Sequence, residues 1–484
     1  VTPAPAATSS WRIRTADAVS RIVAAPLVAG NRVRLLTDAT ENYPAWLDAI
    51  EAARQWIHFE SYIVHEDDVG RQFAERLEAR ARAGVRVRLL YDWLGAFGHA
   101  SRRFWRRLRD AGVEVRCFNP ARFDRPLGWL SRDHRKMLAV DGRVAFASGL
   151  CVGRRWVGDP TRRIEPWRDT GVEIRGPAVA DLERAFAQTW DASGPPIPVA
   201  ELPERETIPP DGDVPVRVIA SMPTTSELYR LDQLIAAAAT KSLWLADAYF
   251  VGVTPYVQAL CAAARDGIDV RLLVPGATDI LLMRALSRAS YRPLLEAGVR
   301  VFEWRGPMMH AKTAVADSRW SRVGSTNLNL ASWIGNWELD VAVEDERFAR
   351  AMEKVYLADL AGSTEVVLAG RRIQPRGNEP ARTSSGQGAG SVSRVAAGAI
   401  GLGSTVGAAI TDRRVLGPAE AWLLGRIGLA LLVLSIGAAL WPRVVVLPFA
   451  LAGAWIGLAL LARAWRSRRM HRTTADTRPP REGG

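Results

Sequence analysis

Residues 134–141 read HRKMLAVD and residues 310–317 read HAKTAVAD. Both are His-x-Lys followed, after four further residues, by Asp. The chain carries 64 Lys plus Arg, yet only four of these are lysines (Lys136, Lys241, Lys312 and Lys354), and it has only six histidines. Half of its lysines therefore stand two residues after a histidine. A single segment of this kind reads as an ordinary β-hairpin with a satisfied histidine. Two copies in register argue for a duplicated unit. A small or hydroxylic cluster follows each copy, SGLC at 148–151 and GSTN at 324–327.

The surroundings repeat as well. Each half opens with a short strand, NRVRLL at 31–36 and VPVRVIA at 214–220. After a helical stretch comes an apolar strand with a Tyr near its end, WIHFESYIV at 56–64 and SLWLADAYFV at 242–251. An amphipathic helix ending in Gly then runs into a β-branched strand, VRVRLLYD at 85–92 and IDVRLLVPG at 268–276. Alternating strands and helices of this length predict an α/β sandwich with a mainly parallel sheet. The expected organisation is an N-terminal extension (1–29), a first half (30–192), a linker (193–213) and a second half (214–362). A disordered linker (363–393) and a C-terminal membrane region with a basic tail (394–484) complete it. Prolines at 195, 196, 198, 203, 209 and 210 mark the first linker, because proline cannot continue a helix or a central strand.

Composition bounds the function. A formal charge of +13 and a pI near 10.3 imply attraction to polyanions, either nucleic acid or an anionic membrane. The three cysteines, Cys117, Cys151 and Cys261, are far apart, which excludes a disulfide framework and a CxxC zinc site and fits a reducing compartment. The first nineteen residues show no apolar signal-peptide core. Near the other end, 444–462 is uncharged over 19 residues and 427–441 over 15, with only Pro442 and Arg443 between them. This predicts a transmembrane helical hairpin over about 421–441 and 444–462. Arg413 and Arg414 precede it and Arg463, Arg466, Arg468 and Arg469 follow it, so the positive-inside rule places the body on the cytoplasmic side of the inner membrane. The small-residue segment 394–410 reads as an interfacial helix.

On an extended strand residues i and i+2 share a face. His134 then projects with Lys136, and His310 with Lys312, while Arg135 and Ala311 point away. Pseudo-two-fold symmetry can bring both faces to one interface, with two imidazoles and two ammonium groups around a small anion. A phosphodiester suits that set. One neutral imidazole can attack phosphorus and the other, protonated, can donate to the leaving alkoxide. The compact ammonium of lysine can act as a point charge close to phosphorus, where the planar guanidinium fork imposes its own geometry. Such a site requires no metal or other cofactor. Asp141 and Asp317 stand an odd number of positions from their histidines, so they face away and are expected to be structural partners within the motif.

These residues resemble the phospholipase D superfamily, defined by paired HKD motifs, over about 30–362. Within it the chain is similar to bacterial cardiolipin synthases, particularly the type lacking an N-terminal anchor. The stretches that carry this are ENYPAWLDAIEAARQWIHFESYIVHEDDVG, WRDTGVEIRGPAV, ADAYFV, LLEAGVRVFEW and MHAKTAVAD followed by GSTNLN. The resemblance implies a duplicated phospholipase D-type α/β sandwich with pseudo-two-fold symmetry. It implies that Asp169 in WRDT supports His310, that Glu338 in NWELD supports His134, and that His134 is the nucleophile. Lys136 and Lys312 would hold the phosphate, with Ser148, Ser325 and Asn327 on the substrate side. The motif ends in Asn at 327, but the first copy has Cys151 there, a poor hydrogen-bond partner, which leaves that phosphate contact to the second half. The implied reaction is phosphatidyl transfer between two phosphatidylglycerol molecules, with phosphatidylethanolamine as an alternative donor; the alternatives are phospholipase D hydrolysis and a related nuclease. The expected partners are phospholipids and the membrane rather than nucleic acid, and the oligomeric state is open.

Overall fold

The structure, a computed structural model, describes residues 22–121, 131–223, 225–279, 281–369 and 372–375, with single positions at 19, 429, 432, 451, 454, 455, 457 and 458. Seven strands build the first half: β1 (Val28–Thr37), β2 (Trp56–Ser61), β3 (Arg86–Asp92), β4 (Glu114–Phe118), β5 (Lys136–Val140), β6 (Val144–Ser148) and β7 (Thr170–Arg175). The second half repeats them as β8 (Val214–Ser221), β9 (Ser242–Ala246), β10 (Asp269–Pro275), β11 (Arg300–Trp304), β12 (Thr313–Ala316), β13 (Trp320–Gly324) and β14 (Glu338–Val343). The spatial order β1-β7-β6-β5-β2-β3-β4 recurs as β8-β14-β13-β12-β9-β10-β11.

The expected mainly parallel sheet is corrected to a mixed one. Only β2, β3, β4 and their counterparts β9, β10, β11 run parallel, joined by helical crossovers. The other neighbours within each half are antiparallel, because β5–β6 and β12–β13 are tight hairpins. Asp141 (φ 54°) and Gly142 (φ 63°) form the first turn, and Asp317 (φ 53°) and Ser318 (φ 52°) the second. Two successive left-handed residues make a type I′ turn, whose twist matches the strands it joins.

β1 starts beside β8 and, past a register shift at Val28–Asn31, continues beside β7, so one strand belongs to both halves. Gly30, at φ 86°, lies at this corner. The two sheets stack with β6 and β7 against β13 and β14. Val172, Ile174, Ala145 and Ala147 share a core there with Val323, Leu339, Val341 and Val343. Strands between two layers are buried on both faces, which is why KMLAV and VAFAS are continuous apolar runs. Outer helices cover the other faces, with Trp46, Phe73 and Phe146 in one core and Leu231, Tyr256 and Trp333 in the other. Helix starts are capped as their residues suggest: Asp67 accepts from Gly70 N–H at 2.9 Å and Ser101 Oγ from Phe104 N–H at 3.1 Å.

Two further strands, β15 (Ser363–Ala369) and β16 (Arg372–Pro375), extend the second sheet beyond β11. They correct the reading of 363–393 as disordered from its start, since the β-branched run STEVVLA finds an open edge at β11. Residues 376–393 and 394–410 lie outside the described residues. So does nearly all of the expected hairpin, and among the described residues no helix is long and apolar enough to cross a membrane.

The aspartates that end the two motifs anchor the turns to the neighbouring strands. Asp141 accepts from the N–H groups of Arg54, Gln55 and Trp56, each at 2.8 Å. Asp317 does the same for Thr240, Lys241 and Ser242, at 2.7 to 3.1 Å. Replacing Asp317 by Ala strands three donors, so we expect a loss of about 2–4 kcal/mol, seen as a lower urea midpoint with an unchanged m-value. Asp141→Ala should behave alike.

Candidate active site

The two halves exchange short backbone pairings at the end of the sheets where β5 and β12 begin. His134 N–H donates to Trp337 O at 2.9 Å and Trp337 N–H to Arg132 O at 2.8 Å. On the other side His310 N–H donates to Arg168 O at 2.7 Å and Arg168 N–H to Met308 O at 2.9 Å. Each histidine segment thus forms a parallel bridge with the segment leading into the opposite half's β7 or β14. That bridge delivers a carboxylate. His134 Nδ1 lies 2.9 and 3.1 Å from the two oxygens of Glu338, and His310 Nδ1 lies 2.7 Å from Asp169 Oδ2. Both carboxylates are fully buried and both imidazoles nearly so. With Nδ1 engaged by the carboxylate, Nε2 is the second nitrogen that each ring can offer.

Lys136 and Lys312 are buried beside the rings, and each ammonium donates to the carbonyl of its own motif histidine. Burial is the largest influence on His134; Glu338 opposes it, Lys136 adds to it, and the pKa falls to about 4. Burial and then the Lys312 ammonium push His310 to about 4 against the pull of Asp169. Desolvation therefore outweighs the carboxylates, and both rings are neutral at pH 7 when no anion is bound. Burial alone would raise Asp169 and Glu338, but the facing histidines and lysines hold both below the usual carboxylate range. Lys312 is pushed down to about 8 by burial, with Asp169 opposing and Lys136 assisting.

Around this symmetric frame the two sides differ. Ser325 Oγ donates to Glu338, and Asn336 Nδ2 adds a bond at 3.2 Å. The first half has Gly149 at the position of Ser325, where a Cβ would lie 2.2 Å from Asp169 Oδ1. There the Trp156 indole N–H donates to Asp169 Oδ2 instead, at 3.0 Å. Trp156, Trp167 and Tyr249 surround the His310 ring, whereas Tyr62 stands edge-on to His134 at 4.9 Å. Ser148 is buried in its own turn, where its Oγ accepts from Leu150 N–H at 3.1 Å. It stands one residue out of register with Ser325, and the similar composition of SGLC and GSTN hid this offset. Asn327 is buried; its Nδ2 has one long contact, to Ser332 Oγ at 3.5 Å, and its Oδ1 has none. Cys151 is buried as well, and burial raises its thiol pKa although both motif lysines lower it.

Several buried charges escaped the sequence reading. Arg135, facing away from the site as expected, donates to the carbonyls of Glu338, Ala185 and Ser221 and to Thr189 Oγ1. It ties the Glu338 backbone to the first half, and its counterpart is Ala311. Glu60 and Asp133 lie close to it, fully buried, and burial raises both their pKa values. Asp247 accepts from Tyr249 and Leu328 N–H, and burial pushes it to about 7 against the pull of Lys312. Only its position in the ADAYF stretch hinted at it. A cavity of about 740 Å³ lined by Trp56, Asp141, Arg143 and Glu201 lies at the opposite end of the strands, remote from this chemistry. Among the described residues no group of three or more His, Cys, Asp or Glu is placed to hold a metal ion.

A duplicated α/β sandwich whose halves each lend a His-Lys pair to one buried site, and a carboxylate to the other's histidine, defines the phospholipase D class of fold. The family described as "Cardiolipin synthase, PLD-like domain" matches residues 46–190 and 231–360, and this chain belongs to it. It is 34% identical over 400 residues to cardiolipin synthase A of Pseudomonas fluorescens, covering 80% of this chain and 81% of that protein. It is 34% identical over 345 residues to cardiolipin synthase of Alkalihalophilus pseudofirmus (70% and 68%) and 35% identical over 383 residues to cardiolipin synthase A of Pseudomonas aeruginosa (76% of each). Phosphatidylserine synthase of Haemophilus influenzae shares the fold, with a TM-score of 0.56 at 14% identity over 72% of this chain and 92% of that one.

A carboxylate on Nδ1 sets the tautomer and stabilises the imidazolium. Glu338→Gln and Asp169→Asn should each lower kcat roughly 10²–10⁴-fold, with little change in KM and an unaltered near-UV circular dichroism spectrum. Turnover equal to the unaltered protein in either variant would remove that carboxylate from the chemistry.

Proposed function

We propose that this chain is a cardiolipin synthase-type phosphatidyltransferase working through a phosphohistidine. The observation that carries the reading is the pair of buried imidazoles, each held through Nδ1 by the other half's carboxylate, with two lysines beside them. His134 Nε2 attacks the phosphorus of one phosphatidylglycerol. The P–N bond forms, the P–O bond to the headgroup glycerol breaks, and His310 gives its proton to the departing oxygen. A hydroxyl of a second phosphatidylglycerol then passes its proton to His310 and attacks the phosphorus, releasing His134 and forming cardiolipin. One phosphodiester replaces another, so no nucleotide is consumed.

Burial holds both rings neutral, which suits His134 as nucleophile. His310 takes up its proton with the substrate: a bound phosphodiester offsets the Lys136 and Lys312 charges that otherwise oppose imidazolium. The lysines stabilise charge on the non-bridging oxygens, and the Asn327 amide has hydrogen-bonding capacity to spare. His134 as the nucleophile, rather than His310, fits the asymmetry of the pocket, since the aromatic ring of side chains around His310 shields a general acid from water. The uncharged segments of 421–462 form the membrane hairpin in this reading, with the body at the cytoplasmic face. The described positions Leu429, Leu432, Leu451 and Leu458 are helical and exposed, which supports it.

Purified protein in phosphatidylglycerol vesicles, without nucleotide, should yield cardiolipin and an equal amount of glycerol, and His134→Ala and His310→Ala should each abolish both. Phosphatidic acid as the product would make water the acceptor. For pH, kcat/KM should fall on the acid side as His134 is protonated near 4, decline above that because His310 must take up its proton with the substrate, and decline more steeply on the basic side as Lys312 loses its proton near 8. Lys312→Arg keeps its charge, so it should move the basic limb upward whatever its effect on the plateau. An unmoved limb would assign it to another group.

A further inference from the structure

Six large hydrophobic side chains of the described body are exposed: Phe97 (66%), Ile164 (45%), Val199 (85%), Met222 (36%), Ile334 (39%) and Leu357 (47%). Isolated exposed apolar residues are ordinary, so their placement has to carry any meaning. Phe97 follows the end of β3, Met222 follows the end of β8, Ile164 lies before β7 and Ile334 before β14. All four therefore stand at the end of the stacked sheets that holds both histidines. Val199 is in the linker at the opposite end, and Leu357 is on the flanking helix Glu346–Ala361.

Each of the four sits on a loop bonded to the site. Asp92 accepts from Leu94 and Gly95 N–H in the Phe97 loop and from Asp133 N–H beside His134. Ile164 shares its loop with Trp167, which packs on His310, and with Asp169. Met222 follows Ser221, which pairs with Glu338 across β8 and β14, and Ile334 is four residues before Glu338. Arg102 and Arg103, where the Phe97 loop enters the helix Arg102–Asp110, and Arg162 and Arg163 beside Ile164 are exposed, with one exposed carboxylate, Glu165, close by in the chain. Apolar tips interspersed with arginines complement an anionic bilayer, whose headgroup phosphates lie just above its hydrocarbon.

We propose that this rim is the surface by which the body docks on an anionic phospholipid bilayer. Phe97, Ile164, Met222 and Ile334 enter the headgroup–acyl boundary, the arginines meet phosphates, and the site opens directly onto lipid. The proposal rests on the phosphatidyltransferase reading for its choice of occupant, but not on the C-terminal hairpin, which would tether the body without orienting it.

The test uses the full chain carrying Phe97→Cys, Ile334→Cys or Val199→Cys, labelled with an environment-sensitive fluorophore, with the labelled unsubstituted chain, which has Cys117, Cys151 and Cys261, as the blank. It is added to phosphatidylglycerol-containing vesicles that carry spin-labelled quencher lipids. Quenching at 97 and 334, with position 199 still open to an aqueous quencher, is expected; equal behaviour at both ends overturns the proposal. Phe97→Asp combined with Ile334→Asp should cut turnover on vesicles about tenfold while leaving turnover of dispersed short-chain phosphatidylglycerol within about twofold. Equal losses on both substrates would overturn it. If the unaltered protein turns over neither substrate, the transferase reading fails, and the quenching pattern still decides the docking surface.

Discussion

The constraint on which the structure depends is that a buried imidazole beside ammonium groups needs a carboxylate to orient it, and here that carboxylate comes from the other half. Neither half can complete a site by itself. The strand β1 that belongs to both sheets, the shared core between β6–β7 and β13–β14, and the reciprocal bridges at Trp337 and Arg168 all serve one register. A slip of one residue in either bridge would turn Glu338 or Asp169 away from its histidine.

Burial, more than ion pairing, sets the protonation states. Both histidines donate from Nδ1 to ionised carboxylates, and still their pKa values fall to about 4. In the proposed reaction, phosphodiester binding would supply the negative charge that lets His310 hold a proton, so acid and nucleophile would become distinct with substrate in place. The same low-dielectric surroundings explain Arg135. A guanidinium buried this deeply needs acceptors, which it finds in three carbonyls and the Thr189 hydroxyl, with the Glu60 and Asp133 carboxyls beside it.

Much of this was legible because a period of two on a strand places His and Lys on one face and Arg135 on the other. The odd offset to Asp141 and Asp317 likewise turned them away from the histidines as structural partners, and in the structure they stand at turns, where they gather backbone N–H groups. The less legible features depend on distant partners. The hairpins that make the sheet mixed are signalled only by Asp-Gly and Asp-Ser pairs, and a type I′ turn at Asp317–Ser318 has no glycine to mark it. Nothing local distinguishes Glu60 or Asp133 from a surface acid, since the groups that surround them, Arg135 and Thr189 for Glu60 and Asp92 and Arg135 for Asp133, are mostly distant in sequence. The strands at 363–375 form because β11 leaves an edge unpaired, a fact invisible in their own residues.

Duplication within one chain also frees the halves from identity. Two identical subunits would have to put the same side chain at equivalent positions, whereas here Ser325 corresponds to Gly149, Asn327 to Cys151 and Arg135 to Ala311. Asp169 and Gly149 fit together: a Cβ such as Ser325 carries would collide with Asp169, and Trp156 supplies the missing donor from another segment. A transfer reaction benefits from such divergence, because its two steps bring different alcohols to the same phosphorus. A symmetric site treats the departing and arriving groups alike. One lined by Trp156, Trp167 and Tyr249 on the His310 side and by Tyr62 on the other can favour a lipid hydroxyl over water, and the asymmetry of the pocket is where that preference would be built.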